Sequence, residues 1–102
     1  QVEAKITNED KRFQAIDWFE KGYQHTLKKE HDSAIEAYTN AIALDPNNAD
    51  AYNNRWIAYN NKGQYKMAIS DFKKNCDMGD KDGCEKVKEL KQSNSKRKGV
   101  DF

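Results

Sequence analysis

Only one proline, Pro46, interrupts a chain of 102 residues, so helices can run unbroken on either side of it. Histidine is as scarce: His25 and His31 stand six apart, with no thiol or carboxylate at ligand spacing, and no metal site is expected of them. No Ser, His and Asp grouping and no glycine-rich phosphate loop is present. The many carboxylates are nowhere isolated in an apolar stretch where burial would raise a pKa for acid catalysis. An enzyme is therefore not expected, nor a cofactor. Charge of one sign is missing too, since 18 Lys and Arg nearly balance 17 Asp and Glu at a formal net charge of +1. Such a balance argues against nucleic acid, a membrane surface or an acidic substrate as partner. No apolar run approaches the ~20 residues that span a bilayer, and no charged-then-apolar leader opens the chain, which reads as soluble.

What is present is periodicity. In the stretch from Ser33 to Asn48, Ala34, Ile35, Tyr38, Ala41, Ile42 and Leu44 fall at helical spacing, and Asp45-Pro46-Asn47-Asn48 then stops the helix and turns the chain. A shift of 34 residues lays Ala34 on Ala68, Ile35 on Ile69, Tyr38 on Phe72, Trp18 on Tyr52 and Leu44 on Met78. Self-similarity at this period is the mark of a helical repeat. The pattern Trp18, Gly22, Ala34, Tyr38 and Pro46, answered by Tyr52, Tyr59, Ala68 and Phe72, resembles the tetratricopeptide repeat, and the Asn60 to Tyr65 stretch resembles its inter-helix turn. The resemblance implies an all-α stack of two helical hairpins, about residues 15–48 and 49–82, in one domain.

Thr7-Asn8-Glu9-Asp10 offers a side-chain oxygen ahead of acidic residues, which predicts a helix start near Asn8. With Phe13, Ile16, Phe19 and Tyr23 at helical spacing, the first helix carries an extension of two turns that can cover the open end of the stack, and it ends about Lys29. At the other end, Gly79-Asp80-Lys81-Asp82-Gly83 stands where a proline turn is expected. A capping helix over about 83–92 follows, with Cys84, Val87 and Leu90 on its apolar side. The tail, 93–102, is polar, and its Lys96-Arg97-Lys98 has no aromatic interleaving, so a loose, solvated terminus is expected.

Cys76 and Cys84 sit eight apart across that glycine turn, and the spacing leaves two readings open: a bridge between antiparallel helices, or two buried free thiols. The spacing also resembles that of Sel1-like repeat proteins, relatives of the tetratricopeptide repeat in which such a pair joins neighbouring helices. That resemblance implies a disulfide, and with it an oxidising compartment; otherwise localisation stays open. Trp56 departs from the family pattern, because it falls on the position of Gly22, where two helices touch. Either the hairpin tilts to take the ring, or it opens and packs on another copy.

The resemblance implies protein or peptide binding on the inner face of the first helices of the repeats. On the first repeat that face carries Phe19, Tyr23 and Leu27. On the second it carries Asn53, Asn54, Ile57, Asn60 and Asn61, which share i, i+4, i+7 spacing. Asparagine amides offer a donor and an acceptor to a peptide backbone, while the aromatics offer apolar contact. In family members that clamp a chaperone's C-terminal carboxylate, an Asn is matched here by Asn54, but Phe19 and Tyr23 stand where Lys and Asn are required. That ligand is not expected. A self-associating structural module driven by Trp56 is the alternative function.

Overall fold

The computed structural model describes residues 7–100, and the side chains of residues 7–93. They form five helices and no strand: α1 (Asn8–Leu27), α2 (His31–Leu44), α3 (Ala49–Asn61), α4 (Tyr65–Asp77) and α5 (Lys81–Val100). Each packs on the next in sequence, so this is an all-α helical repeat stack in which α1–α2 and α3–α4 are the two hairpins.

Local chemistry sets the helix ends. Thr7 and Asp10 form a reciprocal cap on α1: the Asp10 N–H donates to Thr7 Oγ1 and the Thr7 N–H to the Asp10 carboxylate, each at 3.1 Å. Such a cap contributes about 1 kcal/mol. Between α2 and α3, Asp45 accepts the Asn47 N–H at 3.1 Å and Asn48 accepts the Ala51 N–H at 3.0 Å, so the Asp-Pro-Asn-Asn stretch both ends one helix and caps the next. The other three connections share a different design, with one residue at positive φ: Lys29 (60°), Gly63 (78°) and Gly79 (88°). In each, the N–H after that residue donates to the carbonyl five positions back, from Glu30 to His25, Gln64 to Tyr59 and Asp80 to Asn75, at 2.9, 2.9 and 3.1 Å.

The turn from α4 to α5 is thus of the kind used inside a hairpin, which explains why glycine replaces the proline turn. Gly83 is not part of that turn. It lies in the first turn of α5, buried against α4, where a Cβ would come within 2.4 Å of Asn75 Oδ1, 2.6 Å of the Cys76 nitrogen and 2.6 Å of the Phe72 carbonyl oxygen. Asn75 is fully buried. Its amide donates to the Ala49 carbonyl at 2.8 Å, tying α4 to the start of α3.

Two expectations for this end need correction. The capping helix starts at Lys81 and runs to Val100 rather than over 83–92, so through residue 100 the tail continues the helix instead of lying loose. The reason is composition: Lys91, Gln92, Lys96, Arg97 and Lys98 are good helix formers, and no proline ends the run. Residues 101–102 lie outside the described residues.

Small residues set the helix spacing in the first hairpin. Gly22 lies against the Tyr38 ring, where a Cβ would stand 2.6 Å from Cε1, and Ala34, Ala37 and Ala41 are buried alongside. Tyr38 is completely buried; its hydroxyl donates to Thr26 Oγ1 at 2.8 Å, because the Thr26 hydroxyl already donates to the Gly22 carbonyl at 2.9 Å. The second hairpin meets the same need differently. Trp56, at the Gly22 position, is 7% exposed, edge-on to Phe72 with ring centroids 5.7 Å apart, and its indole N–H donates to Asn53 Oδ1 at 2.8 Å. Ile35 of α2, Ile69 of α4 and Val87 and Leu90 of α5 pack against the cluster that Trp56 forms with Tyr59, Ala68 and Phe72. The hairpin is closed and the ring lies inside it.

Candidate partner-binding face

Helical phase decides which side of α1 and α3 stays open. On α1, Ala15 and Gly22 are buried against α2, which turns Tyr23 and Leu27 outward at 45% and 61% exposure. On α3, Ala51 and Ala58 are buried, and Ile57 is exposed beside Asn60 and Asn61. α1 and α3 touch each other only slightly.

The structure sorts the expected site residues into three groups. Tyr23, Leu27, Ile57, Asn60 and Asn61 are exposed on these two helices. Asn53 and Asn54 are half-buried, and Asn53 is engaged, accepting the Trp56 indole N–H. Phe19 is half-buried, its ring 5.7 Å from that of Tyr38, so much of it belongs to the core. Burial holds the Tyr38 hydroxyl's pKa above the ordinary tyrosine value, against the hydrogen bonds of Thr26 and Asn54.

One polar element escaped the sequence reading. Arg55 forms a two-pronged pair with Asp71, Nε to Oδ2 and the terminal nitrogen to Oδ1 both at 2.7 Å, and also donates to Thr39 at 3.1 Å. The guanidinium lies 5.6 and 5.7 Å from the Tyr52 and Tyr59 rings, and Asp71 is 5% exposed. Burial opposes the charge, but the Asp71 hydrogen bonds and carboxylate outweigh it and keep the arginine charged. With Thr39, the pair joins α2, α3 and α4. Its only sequence signal is an arginine and an aspartate at aromatic-flanked positions 16 apart.

His25 does have a carboxylate beside it, contrary to the sequence expectation: its Nδ1 lies 2.8 Å from a Glu30 carboxylate oxygen, a hydrogen bond that lowers the Glu30 pKa. Among the described residues no group of three His, Cys, Asp or Glu is placed to hold a metal, and no helix is long and apolar enough to cross a membrane. The Cys76 and Cys84 sulfurs are 2.01 Å apart, at disulfide distance, with Cα atoms 4.4 Å apart, joining the last turn of α4 to the first of α5.

Comparison with known proteins agrees with this architecture. Residues 22–63 match the family model described as TPR repeat. The chain is 42% identical over 52 residues to a human small glutamine-rich tetratricopeptide repeat-containing protein beta, covering 51% of this chain and 17% of that protein. It is 31% identical over 75 residues to the mouse DnaJ homolog subfamily C member 7, covering 74% of this chain and 15% of that protein. A small glutamine-rich tetratricopeptide repeat-containing protein 2 of Mycosarcoma maydis is 44% identical over 45 residues, 44% of this chain and 13% of that protein. The chain thus spans less than a fifth of the length of these relatives. Together, the match, the relatives and the five-helix stack support the tetratricopeptide repeat family. Proteins built from such repeats are scaffolds that bind protein partners. The Sel1-like likeness is not part of that support, since Cys76 and Cys84 lie outside the matched span.

Proposed function

We propose that the chain is a non-catalytic protein interaction module that holds a peptide or a protein segment on the inner face of α1 and α3. The observation that carries this reading is the exposure of Tyr23, Leu27 and Ile57 at 45%, 61% and 37% on the two helices that line one side of the stack, beside the amides of Asn60 and Asn61. Apolar groups give a ligand contact area, and amides satisfy its backbone without requiring a particular side chain.

A peptide selected from a random display library, titrated while amide NMR shifts are followed, tests this. Shifts centred on α1 and α3, weakened by Tyr23→Ala and Asn54→Ala, are expected. Shifts confined to α2 and α4, with both variants binding as the parent does, would refute the inner-face site.

A further inference from the structure

One stripe of α1 reaches past the face just described. Glu9, Phe13, Ile16, Glu20, Tyr23 and Leu27 follow one another at steps of 4, 3, 4, 3 and 4, the spacing of a coiled-coil seam. Its four large apolar members are 69%, 57%, 45% and 61% exposed, and no described part of the chain covers them. Another repeat would not dock here in the way α3 docks on α2. The buried α3 residues Ala51 and Ala58 correspond, 34 positions earlier, to the charged or polar Asp17 and Gln24.

We infer that this stripe seats a basic amphipathic helix of a partner protein, lying lengthwise along α1. The inference rests on the inner-face reading for Tyr23 and Leu27 and extends it to Phe13 and Ile16. Spacing argues for a helix: a heptad seam repeats on average every ~5 Å along its axis, which another helical seam matches, whereas same-face side chains of an extended chain recur every ~7 Å. Charge argues for a basic one. Glu9 and Glu20 interrupt the stripe 11 residues apart, three helical turns, and neither belongs to an ion pair among the described residues, whereas Asp17 beside them is already 3.7 Å from Lys21. A partner helix with Lys or Arg three turns apart on its own seam would meet both carboxylates.

The test uses the whole chain and three labelled peptides of about 20 residues. One is a helix former with a leucine seam and lysines three turns apart; the second has glutamate for those lysines; the third has the first one's composition with two central prolines. Anisotropy titration should show the basic helix binding at least ten-fold more tightly than either of the others. Phe13→Ala with Ile16→Ala, and separately Glu9→Gln with Glu20→Gln, should each weaken it at least ten-fold, the charge pair also flattening its salt dependence. All four positions are exposed, so these variants keep the parent's melting temperature. Equal binding of basic and acidic helices, or indifference to Phe13 and Ile16, would overturn the inference. If the proline peptide then binds with dependence on Tyr23 and Asn54, the inner-face reading survives alone; if Tyr23→Ala affects no peptide, both readings fail.

Discussion

Trp56 separates two accounts of the second hairpin, and its removal gives opposite results under each. If the ring overfilled a position made for glycine, Trp56→Gly would tighten the packing and raise stability. The structure predicts the reverse. The ring is 7% exposed, covered by Phe72 on one side and by Val87 and Leu90 on another, with Lys86 Nζ 5.5 Å from its centroid. Trp56→Ala therefore leaves a cavity at the junction of three helices, which costs about 3 to 5 kcal/mol for a buried tryptophan. The edge-on contact with Phe72, about 0.5 to 1.5 kcal/mol in general, is contained within that figure rather than added to it. Asn53 can rehydrate, being only half-buried, so its loss of the indole N–H adds little. At roughly 4 to 8 °C per kcal/mol for a domain near this size, the melting temperature should fall by about 12 °C or more. Thermal unfolding followed by far-ultraviolet circular dichroism on disulfide-intact protein measures it. A Trp56→Ala or Trp56→Gly variant as stable as the parent would refute the packing argument.

Lys29 adopts a positive φ of 60° where the two equivalent turns use Gly63 and Gly79, so Lys29→Gly should stabilise the chain by about 1 kcal/mol, read as a rise in denaturation midpoint; a loss of stability would show that the turn is not strained. Without reductant, Cys76 and Cys84 should take up no alkylating agent by intact mass, and reduction should cost roughly 2.5 kcal/mol in the chain-entropy view of so short a loop; two alkylated thiols in air-oxidised protein would count against the bridge. Tyr38 keeps its proton more tightly folded than unfolded, so its contribution to stability is complete below its ordinary pKa of about 10 and is lost as pH rises through the raised value. Tyr38→Phe should remove that alkaline component of the stability profile, and an unchanged profile would contradict it.

What the sequence made legible follows from which interactions are local. Caps and turns involve residues a few positions apart, so the start of α1 at Asn8 and the stop at Asp45-Pro46 could be read directly. The 34-residue shift exposed the hairpins because packing repeats with the chain. The extent of α5 could not be read, since its last ten residues carry no apolar stripe and have no counterpart within the repeat pattern. The Arg55–Asp71 pair and the cover that α5 gives Trp56 depend on contacts between helices, which neither periodicity nor composition reports. For the candidate site, periodicity grouped side chains that the structure leaves exposed on α1 and α3, but it did not reveal the duties some of them already have: Asn53 serves the indole and Phe19 serves Tyr38.

Photo-crosslinking tests the inner-face claim most directly. A photoreactive phenylalanine analogue would be placed in turn at Leu27 and Ile57 on the inner helices, and at Tyr65 and Met67 on α4, four positions all substantially exposed. With a library-selected peptide, adducts at Leu27 and Ile57 and none at Tyr65 and Met67 are predicted. Adducts from α4 alone would contradict the account, because they would put the partner on the opposite helix layer from the exposed tyrosine, leucine, isoleucine and asparagine side chains.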